Sequence, residues 1–172
     1  MKLAGKLITE EELSKKVEEL AVQIEDEFKG EEIYVIGILK GACIFVSDLI
    51  RHITSPVKLD FMALSSYGNS IESSGVVKIV KDLDMDIEGK NVLVVEDIID
   101  TGLTMSYLID YLNGRRCKKV KICTLLDKPE GRKCDVNVDF TGFHLPDKFI
   151  VGYGIDCMES YRNLPYIAYI EE

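Results

Sequence analysis

The stretch Val92-Leu93-Val94-Val95-Glu96-Asp97-Ile98-Ile99-Asp100-Thr101-Gly102-Leu103-Thr104 constrains the fold more than any other part of this chain. Four consecutive apolar residues read as a buried strand. They run into two adjacent acids, a third acid, and a Thr-Gly-x-Thr turn that opens an amphipathic run, so the stretch is a strand, a polar turn and a helix start. Backbone N–H groups at a Gly-containing turn ahead of a helix lack intrahelical partners and converge on one point, where the helix dipole also favours negative charge. Thr101 and Thr104 add hydroxyl donors. This is the chemistry of a phosphate site. Carboxylates beside an anion are costly unless they face another part of the ligand, so Glu96 and Asp97 suit sugar hydroxyls or a metal, and Asp100 suits a proton acceptor. The implied ligand is a sugar phosphate with a reacting centre near Asp100. The same spacing also fits a buried strand ending in a solvated acidic turn, and a short motif does not choose between the two.

The segment Glu96 to Thr104 resembles the phosphoribosyl-pyrophosphate (PRPP) binding motif of the type I phosphoribosyltransferases, in its bacterial hypoxanthine-guanine form. The two-acid start, the third acid and Thr-Gly-x-Thr are all in register. The resemblance implies that Glu96 and Asp97 position the ribose hydroxyls and lie near a metal. It also implies that the backbone amides from Ile99 through Thr101, Gly102, Leu103 and Thr104 grip the 5′-phosphate. At Leu103 some members carry a Lys, so here the backbone amides must suffice.

Composition agrees with one enzyme-sized domain. A chain of 172 residues, 47% hydrophobic, can bury one good core. A net charge of -9 argues against nucleic acid as the main partner and against long-range steering of a polyanion. A polyanionic substrate must therefore meet a local positive site, with Mg²⁺ the obvious neutraliser. The five cysteines form no CxxC pair and have only His52 and His144 beside them, which disfavours zinc and fits reduced thiols in a cytoplasmic protein. The N-terminus lacks a long apolar run, so neither secretion nor membrane spanning is expected.

Along the chain, Thr9 and Glu12 make a capping box, and Leu13, Val17, Leu20, Ile24 and Phe28 recur behind it at helical spacing, predicting a helix over 10–28 stopped by Gly30. Residues 33–39 read as a buried strand, 43–50 as a helix and 57–64 as the next strand. A polar, Gly/Ser-rich insertion over 65–75 precedes a returning strand at 76–80; inside a compact domain such a loop is usually functional or disordered. The acid-rich connector 82–88 carries no assigned chemistry. A helix over 103–113 should be capped by Gly114, with strands at 120–126 and 136–142 beyond it.

Several segments extend the resemblance, which spans about Leu7 to Tyr169. Leu39-Lys40-Gly41 is similar to the family's pyrophosphate-binding loop, where the peptide preceding the Lys is typically cis; alone, the dipeptide is equally an ordinary strand-to-helix turn. Ser65-Ser66-Tyr67-Gly68 is similar to the mobile catalytic lid, about 65–78, which would close over PRPP and exclude water. Lys128, just past a strand end, aligns with the Lys that bonds the purine's exocyclic oxygen. Pro146 to Asp156 is similar to the purine-side segment: Phe149 would stack on the base, the Ile150 backbone would read its edge, and Asp156 would help hold a metal. Arg162, in Ser160-Tyr161-Arg162-Asn163, would contact pyrophosphate with Lys40 and Gly41. Taken singly, these residues are equally a core aromatic, a turn acid and surface charges.

The order of elements implies an α/β fold, a mostly parallel central sheet flanked by helices, in a single domain of 1–172. Its core would be about 30–145, with a small hood made from the N-terminal segment and about 146–172. The resemblance implies transfer of a phosphoribosyl group from PRPP to N9 of hypoxanthine or guanine, giving IMP or GMP and pyrophosphate. Asp100 would be the catalytic acceptor of the N7 proton, Mg²⁺ the cofactor with Glu96, Asp97 and Asp156 as candidate ligands, and the assembly a homodimer or homotetramer. Two rivals stand beside this reading. One is a nucleotide-binding regulator on the same fold that also binds RNA, which should carry a basic face. The other is a nucleotide-binding module without chemistry, which leaves the combination of Asp100, lid and purine-side segment unexplained.

Overall fold

The computed structural model describes residues 2–66, 77–146 and 148–171. In chain order the elements are β1 (Lys2–Ile8), α1 (Glu10–Phe28), β2 (Ile33–Leu39), α2 (Cys43–Ile50), β3 (Val57–Ser66), β4 (Val77–Lys81), β5 (Asn91–Ile99), α3 (Leu103–Gly114), β6 (Lys119–Asp127), β7 (Phe140–His144), β8 (Ile150–Val151) and β9 (Ile167–Glu171).

The main sheet has the strand order β4-β3-β2-β5-β6-β7. Its strands pair in parallel except for the edge strand β4, which runs antiparallel to β3. Val35, Ile36 and Val92 through Val95 are fully buried, as continuous apolar runs must be when both faces of a parallel sheet are covered. The cover on one face is α1 with α2, whose Leu13, Val17, Leu20, Ile24, Phe28, Phe45 and Leu49 share a core with Leu93 and Val95. On the other face Met105, Leu108 and Leu112 of α3 share a core with Ile36, Val92 and Val94. The start of α1 follows the sequence closely: Thr9 Oγ1 accepts from the Glu12 N–H at 3.2 Å, and Glu12 Oε2 accepts from the Thr9 N–H at 2.8 Å. At the other end Lys29 takes the left-handed position (φ 52°), with Gly30 (φ 78°) following it.

Three local expectations are corrected. The central strand does not stop at Val95 but runs through both acids to Ile99, because Glu96, Ile98 and Ile99 keep pairing with Thr124, Leu126 and Asp127 of β6. Gly114 is not the cap of α3. The helix passes through it and tightens, with the N–H groups of Arg115 and Arg116 donating to Leu112 O and Asn113 O, and Arg116 is the residue that turns left-handed (φ 57°). Residues 136–139 are not strand; pairing with β6 begins at Phe140, where Asp139 Oδ2 already occupies the N–H of Ile122.

A second, antiparallel sheet, β1-β9-β8, is built from the first strand and the last two, and the chain between β8 and β9 brings Gly154 against the Gly41 carbonyl just past β2. It buries Val151, Cys157, Ala168 and Ile170 against Tyr161, Leu164 and Tyr166. Among the described residues no helix is long and apolar enough to cross a membrane, and all five cysteines are free.

Candidate active site

In an open parallel sheet, ligands collect outside the carboxyl ends of the strands, at the point where strand order reverses. Here that point lies between β2 and β5. The end of β2 carries Lys40 and Gly41, the end of β5 carries Glu96 through Asp100, and Lys128 follows directly on β6. Sequence-distant residues thus meet because three parallel strands end side by side.

One half of the site is built by the β5–α3 turn. Gly102 sits at the N-cap of α3 with φ 80° and no side-chain cap, so the first-turn N–H groups of the helix face outward. Thr101 Oγ1 accepts from the Leu103 N–H at 3.4 Å. A cavity of about 190 Å³ is lined by residues 96–102, 104 and 105. The loop after β6 holds this turn from below. Arg132 Nη1 donates to the Asp100 carbonyl at 2.6 Å, its Nη2 pairs with Asp127, and the Lys133 N–H donates to Thr101 O at 2.9 Å. Gly131 lies so close to Asp100 that a Cβ there would fall 2.0 Å from Asp100 Oδ1.

A second cavity, of about 300 Å³, shares Ile98 and Asp100 with the first and adds Lys128, Lys148, Phe149, Ile150, Ile155 and Asp156. Lys128 is buried at 7% exposure, and its Nζ stands 4.0 Å from Asp100 Oδ2. Phe149 is 58% exposed, an unusual position for a large aromatic in a small core and one that leaves its ring face open. Ile150 begins β8 and is buried. The arrangement offers an exposed aromatic, a buried cation and a carboxylate around one cavity.

Between these cavities and the second sheet lie the remaining charges. Gly41 backs directly onto Asp97. The Leu39–Lys40 peptide is cis. Lys40 Nζ donates to Glu159 Oε2 at 3.0 Å. Arg162 pairs with Asp156 Oδ1 at 2.8 Å, donates to the Gly154 carbonyl at 2.8 Å and reaches Glu159 Oε1 at 3.4 Å. Burial, then the neighbouring Asp97 carboxylate, pushes the Glu96 carboxyl well above the usual carboxylate range; its Oε1 accepts from the Asp97 N–H at 3.0 Å. The Lys40 hydrogen bond holds the Glu159 carboxyl below that range.

The structure therefore brings together Lys40, Gly41, Glu96, Asp97, Ile99, Asp100, Thr101, Gly102, Leu103, Thr104, Lys128, Phe149, Ile150, Asp156 and Arg162 along one end of the sheet. Ser66 ends β3 opposite Val77, while Tyr67 and most of the expected lid lie outside the described residues. Three neighbours carried no signal in the sequence: Glu159 bridges the two cations, and Arg132 and Asp127 brace the Asp100 turn. Each is a lone charge in irregular chain or at a strand end, with no periodicity to mark it.

Comparisons with known proteins agree with this geometry. The family model for the phosphoribosyl transferase domain matches residues 6–157. A hypoxanthine-guanine phosphoribosyltransferase from Bacillus subtilis is 54% identical over 165 residues, covering 96% of this chain and 92% of that protein. A crystal structure of a hypoxanthine-guanine phosphoribosyltransferase from Bacillus anthracis superposes with a TM-score of 0.96 at 56% identity, covering 99% of this chain and 100% of that one. A hypoxanthine phosphoribosyl transferase from Trypanosoma cruzi superposes with a TM-score of 0.93 at 37% identity, covering 98% of this chain and 92% of that one.

Proposed function

The chain belongs to the phosphoribosyltransferase family, and on that premise we propose that it transfers the 5-phosphoribosyl group of PRPP to N9 of a 6-oxopurine, hypoxanthine or guanine, in purine salvage. The products are IMP or GMP and pyrophosphate. The observation that carries the choice of base is the pairing of buried Lys128 with Asp100 across a cavity that also holds the open face of Phe149.

In this reading the 5′-phosphate lies against the N-terminus of α3, with Thr101, Gly102, Leu103 and Thr104 donating to it and Ile99 below. Glu96 and Asp97 face the ribose. The bond from C1′ to the pyrophosphate oxygen breaks ahead of full bonding to N9, giving an oxocarbenium-like transition state that the Asp100 carboxylate stabilises while it accepts or holds the N7 proton. Lys128 donates to the C6 oxygen, Phe149 stacks on the ring, and the Ile150 backbone reads its far edge. Lys40, Gly41 and Arg162 take the departing pyrophosphate. The lid expected at Ser66 and Tyr67 would keep water from the cationic centre; Tyr67 lies outside the described residues. The hood over the base is the β1-β9-β8 sheet.

The donor set suits an ion that arrives with its substrate. Among the described residues no three carboxylate, His or Cys side chains come together, and Mg²⁺ commonly takes one or two carboxylates with the remaining positions filled by phosphate oxygens and water. Glu96 with Asp97 would hold one such ion, and Asp156 would help hold a second. Bound there, Mg²⁺ supplies charge neutralisation to the pyrophosphate. A homodimer or homotetramer in the cytoplasm belongs to the same reading; the five free thiols suit a reducing compartment.

The test is nucleotide formation from PRPP with hypoxanthine, guanine, xanthine and adenine supplied separately, with and without Mg²⁺. Metal-dependent product from the 6-oxopurines and none from adenine is expected. Folded protein that makes no product from any base would discard the reading in favour of a nucleotide-binding regulator, with RNA the next ligand to try.

A further inference from the structure

Lys40 and Arg162 stand far apart in sequence, yet both are paired with one carboxylate. Glu159 Oε2 lies 3.0 Å from Lys40 Nζ, and Glu159 Oε1 lies 3.4 Å from Arg162 Nη2. We propose that Glu159 is the resident counter-anion of the pyrophosphate subsite, filling the place between these two cations that the substrate's diphosphate takes over, and that it sets how tightly pyrophosphate is held. This rests on the reading of Lys40 and Arg162 as the pyrophosphate ligands.

The backbone delivers Glu159 to this place. Its N–H donates to Asp156 Oδ2 at 2.8 Å, and the Cys157–Ser160 turn closes with a bond from the Ser160 N–H to Cys157 O at 3.0 Å. Met158 and Glu159 are both left-handed, at φ 52° and 60°, a conformation uncommon for residues other than glycine and kept only where the surroundings impose it. Arg162 is anchored independently by Asp156 and the Gly154 carbonyl, so it remains in place when Glu159 leaves. The Lys40 and Glu159 side chains are each 67% exposed, which screens their attraction and keeps the pair exchangeable.

A diphosphate offers the same two cations several oxygens and greater charge. Glu159 therefore competes with it on binding and refills the gap on release. Removing the competing charge strengthens pyrophosphate binding, and a side chain that only supported the loop would weaken it.

Calorimetric titration of magnesium pyrophosphate into the native protein, Glu159→Gln and Lys40→Ala, alongside steady-state kinetics, decides the matter. Glu159→Gln is expected to bind pyrophosphate about threefold to tenfold more tightly and to lower the KM for PRPP by a similar factor, with the KM for hypoxanthine unchanged; that range is what one or two screened ion pairs amount to. Equal or weaker binding by Glu159→Gln, with Lys40→Ala weakened, overturns the counter-anion role while leaving the subsite reading intact. Native-like binding by Lys40→Ala shows instead that the subsite reading is wrong, and the inference falls with it.

Discussion

The carboxylate of Asp97 is seated against the Cα of Gly41: a Cβ at that position would lie 1.8 Å from Asp97 Oδ2. The loop cannot retreat from the contact, because the Gly41 carbonyl is itself packed against Gly154, whose own Cβ would fall 2.3 Å from it. Gly41→Ala must therefore expel the Asp97 side chain or distort the Lys40 turn. The KM for PRPP is expected to rise by tenfold or more, with a stability loss of about 1–3 kcal/mol as for other overpacked sites. Kinetics and urea unfolding of the variant test this, and an unchanged KM would mean that Asp97 does not act from the position seen here.

Asp100 is fixed from two sides, by Arg132 on its carbonyl and by the close approach of Gly131 to its carboxylate. If it is the proton acceptor proposed above, its replacement by Ala should cost about 10²–10⁴-fold in kcat. Pyrophosphate and PRPP affinity should stay largely intact. Single-turnover rates measured at saturating PRPP separate the two effects, and turnover at the native rate rejects the role.

Lys128→Met keeps most of the buried volume and removes the donor proposed to read the C6 oxygen. A site built around such a bond discriminates strongly against analogues lacking the oxygen. The expected outcome is a fall of about 10²-fold or more in kcat/KM for hypoxanthine, roughly the ~3 kcal/mol of a hydrogen bond to a charged group. The margin over adenine should shrink with it. Competition between the two bases in one assay reads this directly; a margin as wide as that of the native protein would place base selection elsewhere.

Asp60 in β3 holds the connector between β4 and β5 to the sheet, accepting from the N–H groups of Phe61, Asp84 and Met85. Burial alone would raise its carboxyl, but those three donors and Lys81 outweigh it and hold the group below the ordinary value of 3.8. A group depressed on folding stabilises the native state fully above its unfolded pKa and loses that contribution as pH falls through the folded value. Asp60→Ala should therefore destabilise the protein by about 2–4 kcal/mol at neutral pH, since it orphans three part-buried N–H groups. The difference from the native protein should narrow below pH 3.8. Urea midpoints across an acid series provide the measurement, and a gap that stays constant to the lowest pH would remove Asp60 from the account.

The central strand, the capped first helix and the Thr-Gly-x-Thr turn were legible in the sequence because each is written in local periodicity and turn chemistry. Val92 to Val95 could only be interior strand, Thr9 with Glu12 could only begin a helix, and Gly102 was needed where φ turns positive. The length of β5 was not legible. Glu96 and Asp97 look like turn residues until β6 pairs with Glu96, Ile98 and Ile99 and draws the stretch into the strand, and strand ends are set by pairing rather than propensity. The same holds for 136–139, where the Asp139 side chain displaces a ladder bond.

What the sequence determined by itself was the set of groups that binding a sugar phosphate and a base requires. Which of them meet was decided only by the tertiary structure. Parallel strands bring Lys40, Asp100 and Lys128 to one edge although long helical crossovers separate them in the chain. The left-handed turn at Met158 and Glu159 places a carboxylate between Lys40 and Arg162. Local patterns fix elements because the helix and strand periods are properties of short segments. Charge partners depend on distances between segments far apart in the chain, and those exist only once the sheet has formed.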